Sequence, residues 1–348
     1  MSKNCTDYSL PVSGRFESLR PARGYFGNFE HAGEHLRISG WMSTVPRVEF
    51  QSFALYVNEQ LSGVSAPLEV PEKHRHLNPQ PQFFAFHLAK TIQETPDFTR
   101  VEVLGCVDGQ PERRLTTMLR WDMDTNVPTP PEKLMYRVTG NRDGKLVKGA
   151  GLRCATNFLD AISKYRDLSS VQNLLDWGCG CGRVTVHLID YLSRYEGLQV
   201  QGCDIDGEAI GWCTKNLPGG QFRQINPFPP TPWPEASVDV VVSCSVFTHL
   251  TEDVQQLWLE EMRRIIAPDG LFLASVKSFA DSNVPERGIS DEALDGMLDG
   301  IAPKGYYRGT VQSRDYTIDR WSRYFEVLDF IEDGLEGSQD LVIMRRPA

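Results

Sequence analysis

The feature that most constrains the fold is a glycine-rich turn in the second half of the chain. An apolar run at residues 173–177 is followed by Gly178, Gly180 and Gly182, and apolar residues then resume at helical spacing. Such a strand, turn and helix form the nucleotide-binding corner of a doubly wound α/β sheet. Glycine permits positive φ and a close approach to a ligand, and the following helix N-terminus favours an anionic group. The stretch therefore predicts a ligand site at the end of a buried parallel strand.

Strand and helix patterns alternate around this turn. The apolar run at residues 237–244 is continuous, as a parallel strand buried on both faces requires. We predict helices at 132–142, 152–165, 207–216 and 252–266, strands at 198–204, 237–244 and 271–276, and two final strands at 324–331 and 340–344 that form an antiparallel hairpin. The second half of the chain is therefore predicted to be an α/β domain.

The first half of the chain has a different pattern. Apolar and polar residues alternate over short segments, which predicts strands, and no segment strongly predicts a helix. The predicted strands lie at 36–41, 52–57, 83–88 and 100–107. Three prolines between residues 125 and 131 then predict a stiff, extended linker. We therefore divide the chain into a β-rich, sandwich-like domain at residues 1–124, a linker at 125–133 and an α/β domain at 134–348.

Charge and hydropathy limit the classes of partner that this protein is expected to bind. The formal net charge of −10 argues against a nucleic-acid backbone as the main partner. No apolar run approaches the roughly 20 residues of a membrane helix, and the first residues lack the apolar core of a signal peptide. The sequence predicts a cytoplasmic protein with neither a membrane nor a nucleic-acid partner.

The cysteines favour a reducing compartment. All eight are scattered and none forms a CxxC pair, which predicts neither a disulfide framework nor a structural zinc site. Cys179 and Cys181 are interpreted as small packing residues. His74 and His76 are predicted to lie in an exposed loop, so no metal site is expected.

Two cofactor classes compete at the glycine turn. A dinucleotide fingerprint places a further glycine at position 183, where this chain has Arg183. Asp204 follows the next predicted strand, where an acid can accept hydrogen bonds from both hydroxyls of a ribose. This arrangement suits NAD and S-adenosylmethionine (SAM) alike, so the turn and the acid leave both open.

Further segments give a family resemblance. In order they are residues 175–183, 202–206, 237–241, 245–250 and 264–271. With the closing hairpin, they make residues 134–348 resemble the class I SAM-dependent methyltransferases. The resemblance implies a Rossmann-like, seven-stranded sheet with a terminal antiparallel hairpin, and SAM as the cofactor. It disfavours an NAD-dependent oxidoreductase.

The resemblance also implies the cofactor-binding residues. They are Asp176, Gly178, Gly180 and Gly182 around the methionine part of SAM, Asp204 at the ribose hydroxyls, Ile205 and Asn226 at the adenine, and Ser245 beside the sulfonium and the acceptor. Arg183 contacts either the cofactor carboxylate or a local partner. Asp206 is interpreted as a helix N-cap rather than a ligand contact.

Methyl transfer is an in-line displacement, so the protein must hold the reacting atoms in line. A hydroxyl or ammonium acceptor also needs a base, and His249 is the candidate because it follows the fourth strand of the α/β domain. Packing at the start of the next helix is the alternative role. Tyr136 and Arg137 lie where such enzymes often carry a lid and are candidates for acceptor contact. Tyr306 and Tyr307 lie in a segment that suits a polar or ring-shaped acceptor.

Three functions compete on this basis. The leading hypothesis is a methyltransferase acting on a small-molecule or sugar-containing (glycan) acceptor. The others are a non-catalytic SAM- or glycan-binding protein and an NAD-dependent oxidoreductase. The sequence leaves open the acceptor, the methylated atom, the role of the β-rich domain and whether the chain forms a homodimer.

Overall fold

A computed structural model describes residues 19–32, 35–44, 47–72, 80–89, 99–119, 126–278, 288–293 and 300–348. The chain divides into two compact units, Met1–Asp122 with Ile331–Ser338, and Met123–Phe330 with Gln339–Ala348. The predicted linker lies just beyond the first division. His74 and His76 lie outside the described residues.

The first unit is built from strands. They are β1 (Arg20–Pro21), β2 (Arg23–Ala32), β3 (His35–Ser43), β4 (Ser52–Val57), β5 (Gln60–Ser65), β6 (Gln82–Ala89), β7 (Thr99–Val107) and β8 (Gln110–Leu119). They form one sheet of order β1-β8-β7-β4-β5 and another of order β2-β3-β6. One apolar core joins the sheets, and the rings of Phe53 and Phe84, one from each, lie 5.2 Å apart. The predicted small all-β region is confirmed.

Cysteine chemistry differs between the units. Cys106, buried on β7, is disulfide-bonded, a feature that the scattered cysteines did not predict. The cysteines of the second unit are not disulfide-bonded.

The second unit alternates strands and helices. Its helices are α1 (Glu132–Thr139), α2 (Gly144–Tyr165), α3 (Thr185–Leu192), α4 (Gly207–Asn216), α5 (Glu252–Ile265) and α6 (Arg314–Trp321). Its strands are β9 (Asn173–Trp177), β10 (Gln199–Asp204), β11 (Gly220–Gln224), β12 (Val238–Ser243), β13 (Ile266–Val276), β14 (Ile289–Ala293), β15 (Arg308–Gln312), β16 (Glu326–Leu335) and β17 (Gln339–Arg345). The last residues of β16 belong to the first unit.

Seven of these strands form one sheet of order β11-β10-β9-β12-β13-β17-β16. β9 pairs in parallel with β10 on one side and with β12 on the other. The strand order therefore reverses at β9, and the carboxyl ends of three strands meet there. β17 pairs with β13 in antiparallel orientation and is hydrogen-bonded to β16 on its other side. The predicted α/β fold with its terminal antiparallel strands is confirmed.

Two parts of this unit differ from the sequence prediction. Helix α2 begins at Gly144 rather than at residue 152, because the Asp143 carboxylate caps it by accepting from the N–H groups of Lys145 and Leu146. Between β13 and β16 lie an antiparallel hairpin, β14 with β15, and helix α6. In the described part of the chain, no helix combines the length and the apolar character needed to cross a membrane.

Candidate functional site

A cavity opens where β9, β10 and β12 end, with about 850 Å³ of empty space including its open mouth. Ligand sites of open α/β sheets are typically found at such topological switch points. The predicted cofactor and base residues that line the cavity are Gly178, Gly180, Asp204, Ile205, Ser245 and His249, and the further candidates Arg137, Arg183, Tyr306 and Tyr307 also line it. The structure therefore brings together residues from three strand ends.

The glycine turn follows β9 and requires glycine for two reasons. Gly178, Gly180 and Gly182 have φ of 78°, 53° and 74°, a region that other residues rarely adopt. A Cβ on Gly178 would also lie 2.2 Å from Cγ2 of Val246. Gly182 does not line the cavity. It packs on Leu217, and its role is to complete the turn that leads into α3.

Asp204, at the end of β10, is fixed by backbone donors. Its Oδ2 accepts from the N–H of Gly180 at 2.8 Å, and its Oδ1 accepts from the N–H of Asp206 at 2.9 Å. Burial raises the pKa of this carboxyl, and the backbone hydrogen bonds oppose that shift. Each carboxylate oxygen has a second lone pair, so the group can also accept from ligand hydroxyls.

Asp176 lies beneath the glycine turn rather than in the cavity wall. Thr185 Oγ1 donates to its Oδ2 at 2.6 Å, whereas its Oδ1 is buried without a hydrogen-bond partner. Burial raises the pKa of this carboxyl to about 6, although the hydrogen bond from Thr185 and the charge of Arg183 lower it. A buried acceptor atom with no partner is costly, so this position indicates a donor that arrives with the ligand or as water.

Asn226 does not reach the cavity. The N–H of Ile225 donates to the carbonyl of Asp204 at 3.0 Å, and Ile225 is buried in the cavity wall beside Ile205. Asn226 is exposed and borders a shallow depression elsewhere on the surface. Consecutive residues of extended chain point to opposite sides, so one apolar residue takes the place predicted for the polar one.

Ser245 follows β12 in a strained conformation. Its φ of 63° is left-handed, which is uncommon for residues other than glycine. Its N–H donates to Ser275 Oγ at 2.7 Å, and its hydroxyl contacts Thr248 Oγ1 at 3.0 Å and accepts from Gln339 Nε2 at 2.9 Å. Three neighbours hold this residue at the cavity wall, and strain held in this way is typical of functional positions.

His249 lines the cavity in its neutral form. Its Nδ1 lies 2.8 Å from the carbonyl oxygen of Arg308, which can only accept, so Nδ1 carries the proton and Nε2 does not. The ring stacks on Tyr307 with centroids 4.1 Å apart and an interplanar angle of 19°. Burial lowers the pKa of His249 to about 4, against the opposing effect of the backbone hydrogen bond.

Tyr136 does not line the cavity, contrary to the prediction. It is 45% exposed, and the guanidinium of Arg142 lies 4.4 Å from its ring centroid. Its neighbour Arg137 lines the cavity instead and forms an ion pair with Asp206 and a second one, at 3.2 Å, with Glu208. Adjacent helical residues point about 100° apart, so only one of the two can face the cavity.

Comparison with known proteins shows what the second unit is similar to. Residues 175–274 match the family described as "Methyltransferase domain". A probable S-adenosylmethionine-dependent methyltransferase of Mycolicibacterium smegmatis is 33% identical over 104 residues, which are 30% of this chain and 37% of the relative. Residues 175–274 carry a methyltransferase domain that is similar to SAM-dependent ones. The chain spans little more than a third of this curated relative.

Solved structures with similar folds are also methyltransferases. One is a SAM-dependent methyltransferase from Mesorhizobium loti, with 18% identity, a TM-score of 0.40, and coverage of 55% of this chain and 98% of that one. Another is the 1,6-didemethyltoxoflavin-N1-methyltransferase of Burkholderia thailandensis, with 16% identity, a TM-score of 0.43, and coverage of 64% and 92%. That second protein was crystallised with S-adenosylhomocysteine.

The residues of the methyltransferase domain fit SAM. The partnerless Oδ1 of Asp176 suits a donor such as the ammonium group of the methionine part. Asp204 suits the ribose hydroxyls, and Ile205 and Ile225 give apolar walls suited to a base. The family match decides between SAM and NAD, a choice that the glycine turn had left open.

Arg183 belongs to the cavity wall of the methyltransferase domain. Its Nη2 lies 3.1 Å from Cys244 Sγ and its Nη1 lies 3.7 Å from Cys154 Sγ. Both contacts are to sulfur atoms, so the choice between a local ion pair and the cofactor carboxylate stays a prediction. The two cysteines are distant in sequence, and no local pattern indicated that they meet this arginine.

An aromatic group closes one side of the cavity. Tyr306 OH donates to the carbonyl of Pro227 at 2.5 Å and accepts from Trp258 Nε1 at 3.2 Å. Burial raises the pKa of Tyr306 to about 12 and raises that of Tyr307 as well, so both phenols are neutral. The two tyrosines lie in the segment predicted to shape the acceptor site. Trp258 was not predicted to line the cavity, because in the sequence it is only one of the apolar residues of an amphipathic helix.

Proposed function

We propose that the protein is an enzyme that transfers the methyl group of SAM to a small-molecule or sugar-containing acceptor. The observation that carries the proposal is the fixed carboxylate of Asp204, which faces a cavity formed by the glycine turn and the end of β12. The methyltransferase family match over residues 175–274 supports it.

The chain's own residues bind and orient in this proposal. Asp204 accepts from the ribose hydroxyls, and the glycine turn and Asp176 hold the methionine part. SAM supplies a methyl group on a positively charged sulfur, which is neutral after transfer. Apolar walls such as Val246 and Leu250 exclude water and keep the reacting groups in line.

His249 Nε2 is the proposed proton acceptor when the methyl acceptor is a hydroxyl. With a pKa of about 4, the imidazole is unprotonated at neutral pH. It is also a weak base, so it takes the proton only as the new bond to carbon makes the acceptor oxygen acidic. The hydrogen bond to the Arg308 carbonyl and the stack on Tyr307 keep Nε2 in a fixed direction.

The aromatic lining supports a ring-shaped acceptor. Trp258, Tyr306 and Tyr307 offer flat apolar faces together with neutral hydroxyl and N–H groups. Such surfaces suit the rings of sugars and of aromatic small molecules, which present an apolar face and polar edges.

Calorimetric titration tests the cofactor. We expect the full chain to bind SAM and S-adenosylhomocysteine, and Asp204→Asn to weaken both by at least tenfold. Binding of NAD without either sulfur compound would refute the proposal. Tight SAM binding with no methyl transfer to any component of a cell extract, followed with isotopically labelled SAM, would favour the non-catalytic SAM-binding alternative.

Two substitutions test the proton acceptor. Asparagine at position 249 can still donate to the Arg308 carbonyl, because its amide nitrogen takes the place of Nδ1, but it lacks a group equivalent to Nε2. We expect His249→Asn to lower kcat by about a hundredfold, the usual size of general-base effects, while SAM affinity stays within a few-fold. If His249→Asn turns over like wild type and His249→Ala does not, the residue only holds the Arg308 segment.

A further inference from the structure

Two thiols and a guanidinium meet in the wall of the cavity. Cys244, directly after β12, lines the cavity, and Cys154, on α2, is buried behind it. Their sulfur atoms lie 3.8 Å apart. Arg183 Nη2 lies 3.1 Å from the sulfur of Cys244.

This arrangement has the features of a reactive dithiol. A neighbouring cation favours the thiolate, which is the nucleophilic form of cysteine. Reactive cysteines are partly accessible, and Cys244 is half-buried with an opening to the cavity. The second thiol is near enough to trap an oxidised sulfur.

A second thiol pair in the same domain provides a contrast. Cys179 Sγ and Cys213 Sγ both donate to the carbonyl of Gly180, at 3.7 Å and 3.6 Å. The neighbouring thiol of Cys213, burial and the charges of Asp176 and Asp204 raise the pKa of Cys179 well above its usual value. Both cysteines are buried. Two acids act on Cys179, whereas a cation adjoins Cys244, so proximity alone does not make a thiol pair reactive.

We propose that Cys244 is an oxidation site, that Cys154 resolves it, and that a peroxide thereby closes a disulfide in the wall of the cavity. The proposal concerns modification of the protein and does not depend on methyl transfer.

The chemistry balances with hydrogen peroxide as the oxidant. The Cys244 thiolate attacks one peroxide oxygen, the O–O bond breaks, and the products are a sulfenic acid and hydroxide. The Cys154 sulfur then attacks the Cys244 sulfur, the S–O bond breaks, and the hydroxyl leaves as water with the thiol proton. Two electrons pass from the two sulfurs to the peroxide.

Bond formation changes the cavity wall. The sulfurs must approach from 3.8 Å to about 2.05 Å, which requires rotation of at least one side chain. Arg183 then loses a thiolate partner at the cavity. We expect the oxidised protein to bind SAM at least tenfold more weakly and dithiothreitol to restore binding.

The test is peptide mapping of the full chain after treatment with hydrogen peroxide. We expect non-reducing digestion and mass spectrometry to give a Cys154–Cys244 linked peptide, two hydrogens lighter than its reduced parts. In Cys154→Ala the link is lost and Cys244 is trapped by dimedone as a sulfenic acid. Cys213→Ala is the matched control, and its linked peptide should form as in wild type.

Several results would overturn the proposal. They are the absence of a Cys154–Cys244 link while Cys244 stays reduced, oxidation of Cys179 before Cys244, or an unchanged oxidation rate of Cys244 in Arg183→Gln. Circular dichroism spectra of the variants check that each one is folded. The linked peptide is measured without SAM, so a failure of the proposed methyltransferase activity leaves this test intact.

Discussion

At the scale of single residues, burial decides what the carboxyl of Asp176 contributes. The group is 1% exposed, and its Oδ1 has no hydrogen-bond partner. A buried charge destabilises the fold unless it is paired. The structure thus holds a carboxylate that is unfavourable as long as its Oδ1 has no donor, and under the proposed function that donor comes with SAM.

The substitution Asp176→Asn separates these two effects. At pH 8 we expect the free energy of unfolding without ligand to be unchanged or higher, by as much as about 3 kcal/mol, because the pKa is about 6 instead of 3.8. We expect SAM affinity to fall at least tenfold, because a charge-assisted contact is lost. Urea unfolding and calorimetric titration measure the two quantities.

Asp239→Asn is the matched control. Asp239 lies near the start of β12, at the opposite end of the strand from the cavity. The Asp239 carboxylate accepts from the N–H groups of Gln172 and Asn173, both at 2.9 Å, and pairs with Arg166 at 3.2 Å. This carboxylate is already paired, so its substitution should lower stability and leave SAM affinity unchanged. A loss of stability in Asp176→Asn as large as in Asp239→Asn would contradict our account.

Where strand ends and turns fix a residue, the sequence predicted whether it reaches the cavity. Asp204, Gly178 and Gly180 line the cavity because the order of strand, turn and helix determines where they lie. Asn226 and Tyr136 were predicted in the site but do not line the cavity, because the direction in which a side chain points depends on tertiary packing. The contact of Arg183 with Cys154 and Cys244 joins three segments that are far apart in the chain.

At the scale of elements, α2 approaches the turn before α3 closely at one glycine. A Cβ on Gly151 would lie 1.9 Å from the carbonyl oxygen of Arg183, which is backbone and cannot rotate away. Gly149, in the same helix, has its nearest neighbour at 3.4 Å. The two glycines therefore differ in function although both weaken helix propensity.

Alanine substitutions should have opposite effects at these two positions. We expect Gly149→Ala to stabilise the protein by about 0.5–1 kcal/mol through helix propensity. We expect Gly151→Ala to destabilise it by about 3 kcal/mol or more, because α2 must move away from the turn. Thermal and urea unfolding measure both, and equal effects from the two variants would be inconsistent with the close approach.

Helix α1 is held over the end of β10 by ion pairs of unequal exposure. The side chains of Arg137 and Asp206 are 12% and 7% exposed, whereas those of Lys133 and Glu208 are 68% and 53% exposed. Exposed pairs contribute little, and breaking a buried pair leaves an uncompensated charge. Arg137 should therefore determine how firmly α1 stays in place.

We expect Arg137→Gln to speed SAM release about tenfold, with faster hydrogen exchange across residues 132–139. Lys133→Gln is the control and should change release less than twofold, since exposed pairs contribute only about 0–1 kcal/mol. Stopped-flow displacement and mass-detected exchange provide the measurements. Equal release rates in the two variants would show that α1 is not held by Arg137.

Helices and strands could be predicted from the sequence where the apolar pattern was long or where the residues at its boundaries were clear. Helix α4 was predicted with its observed bounds because Asp206 marks its start. The hairpin of β14 and β15 was missed because its first strand, ISDEA, is almost entirely exposed and carries no alternating apolar pattern. The start of α2 was missed because three glycines and two lysines interrupt its apolar face.

At the scale of the whole molecule, two buried groups act on stability with opposite signs. The pKa of His249 is lowered from 6.5 to about 4, so the unfolded chain binds the extra proton and stability falls as pH decreases through this window. The pKa of Asp176 is raised from 3.8 to about 6, so the folded chain binds the proton and stability rises as pH decreases. Together these contributions partly cancel.

Single substitutions should reveal each contribution. Between pH 7.5 and pH 5, His249→Asn should remove about 2 kcal/mol of acid destabilisation, and Asp176→Asn should remove about 1 kcal/mol of acid stabilisation. Urea unfolding at both pH values, compared with wild type, measures the changes. Parallel pH profiles for all three proteins would exclude both assignments.

The position of β17 inside the sheet has a consequence for synthesis. β17 comes last in sequence but lies between β13 and β16, and its first residue, Gln339, bonds to Ser245. Ribosomes add roughly 5–20 residues per second, so Gln339 is made roughly 5–20 s after Ser245. The nascent chain therefore carries an incomplete sheet, with the edge of β13 unpaired, until β17 is made. Chaperones that shield such edges would act on this protein before that point.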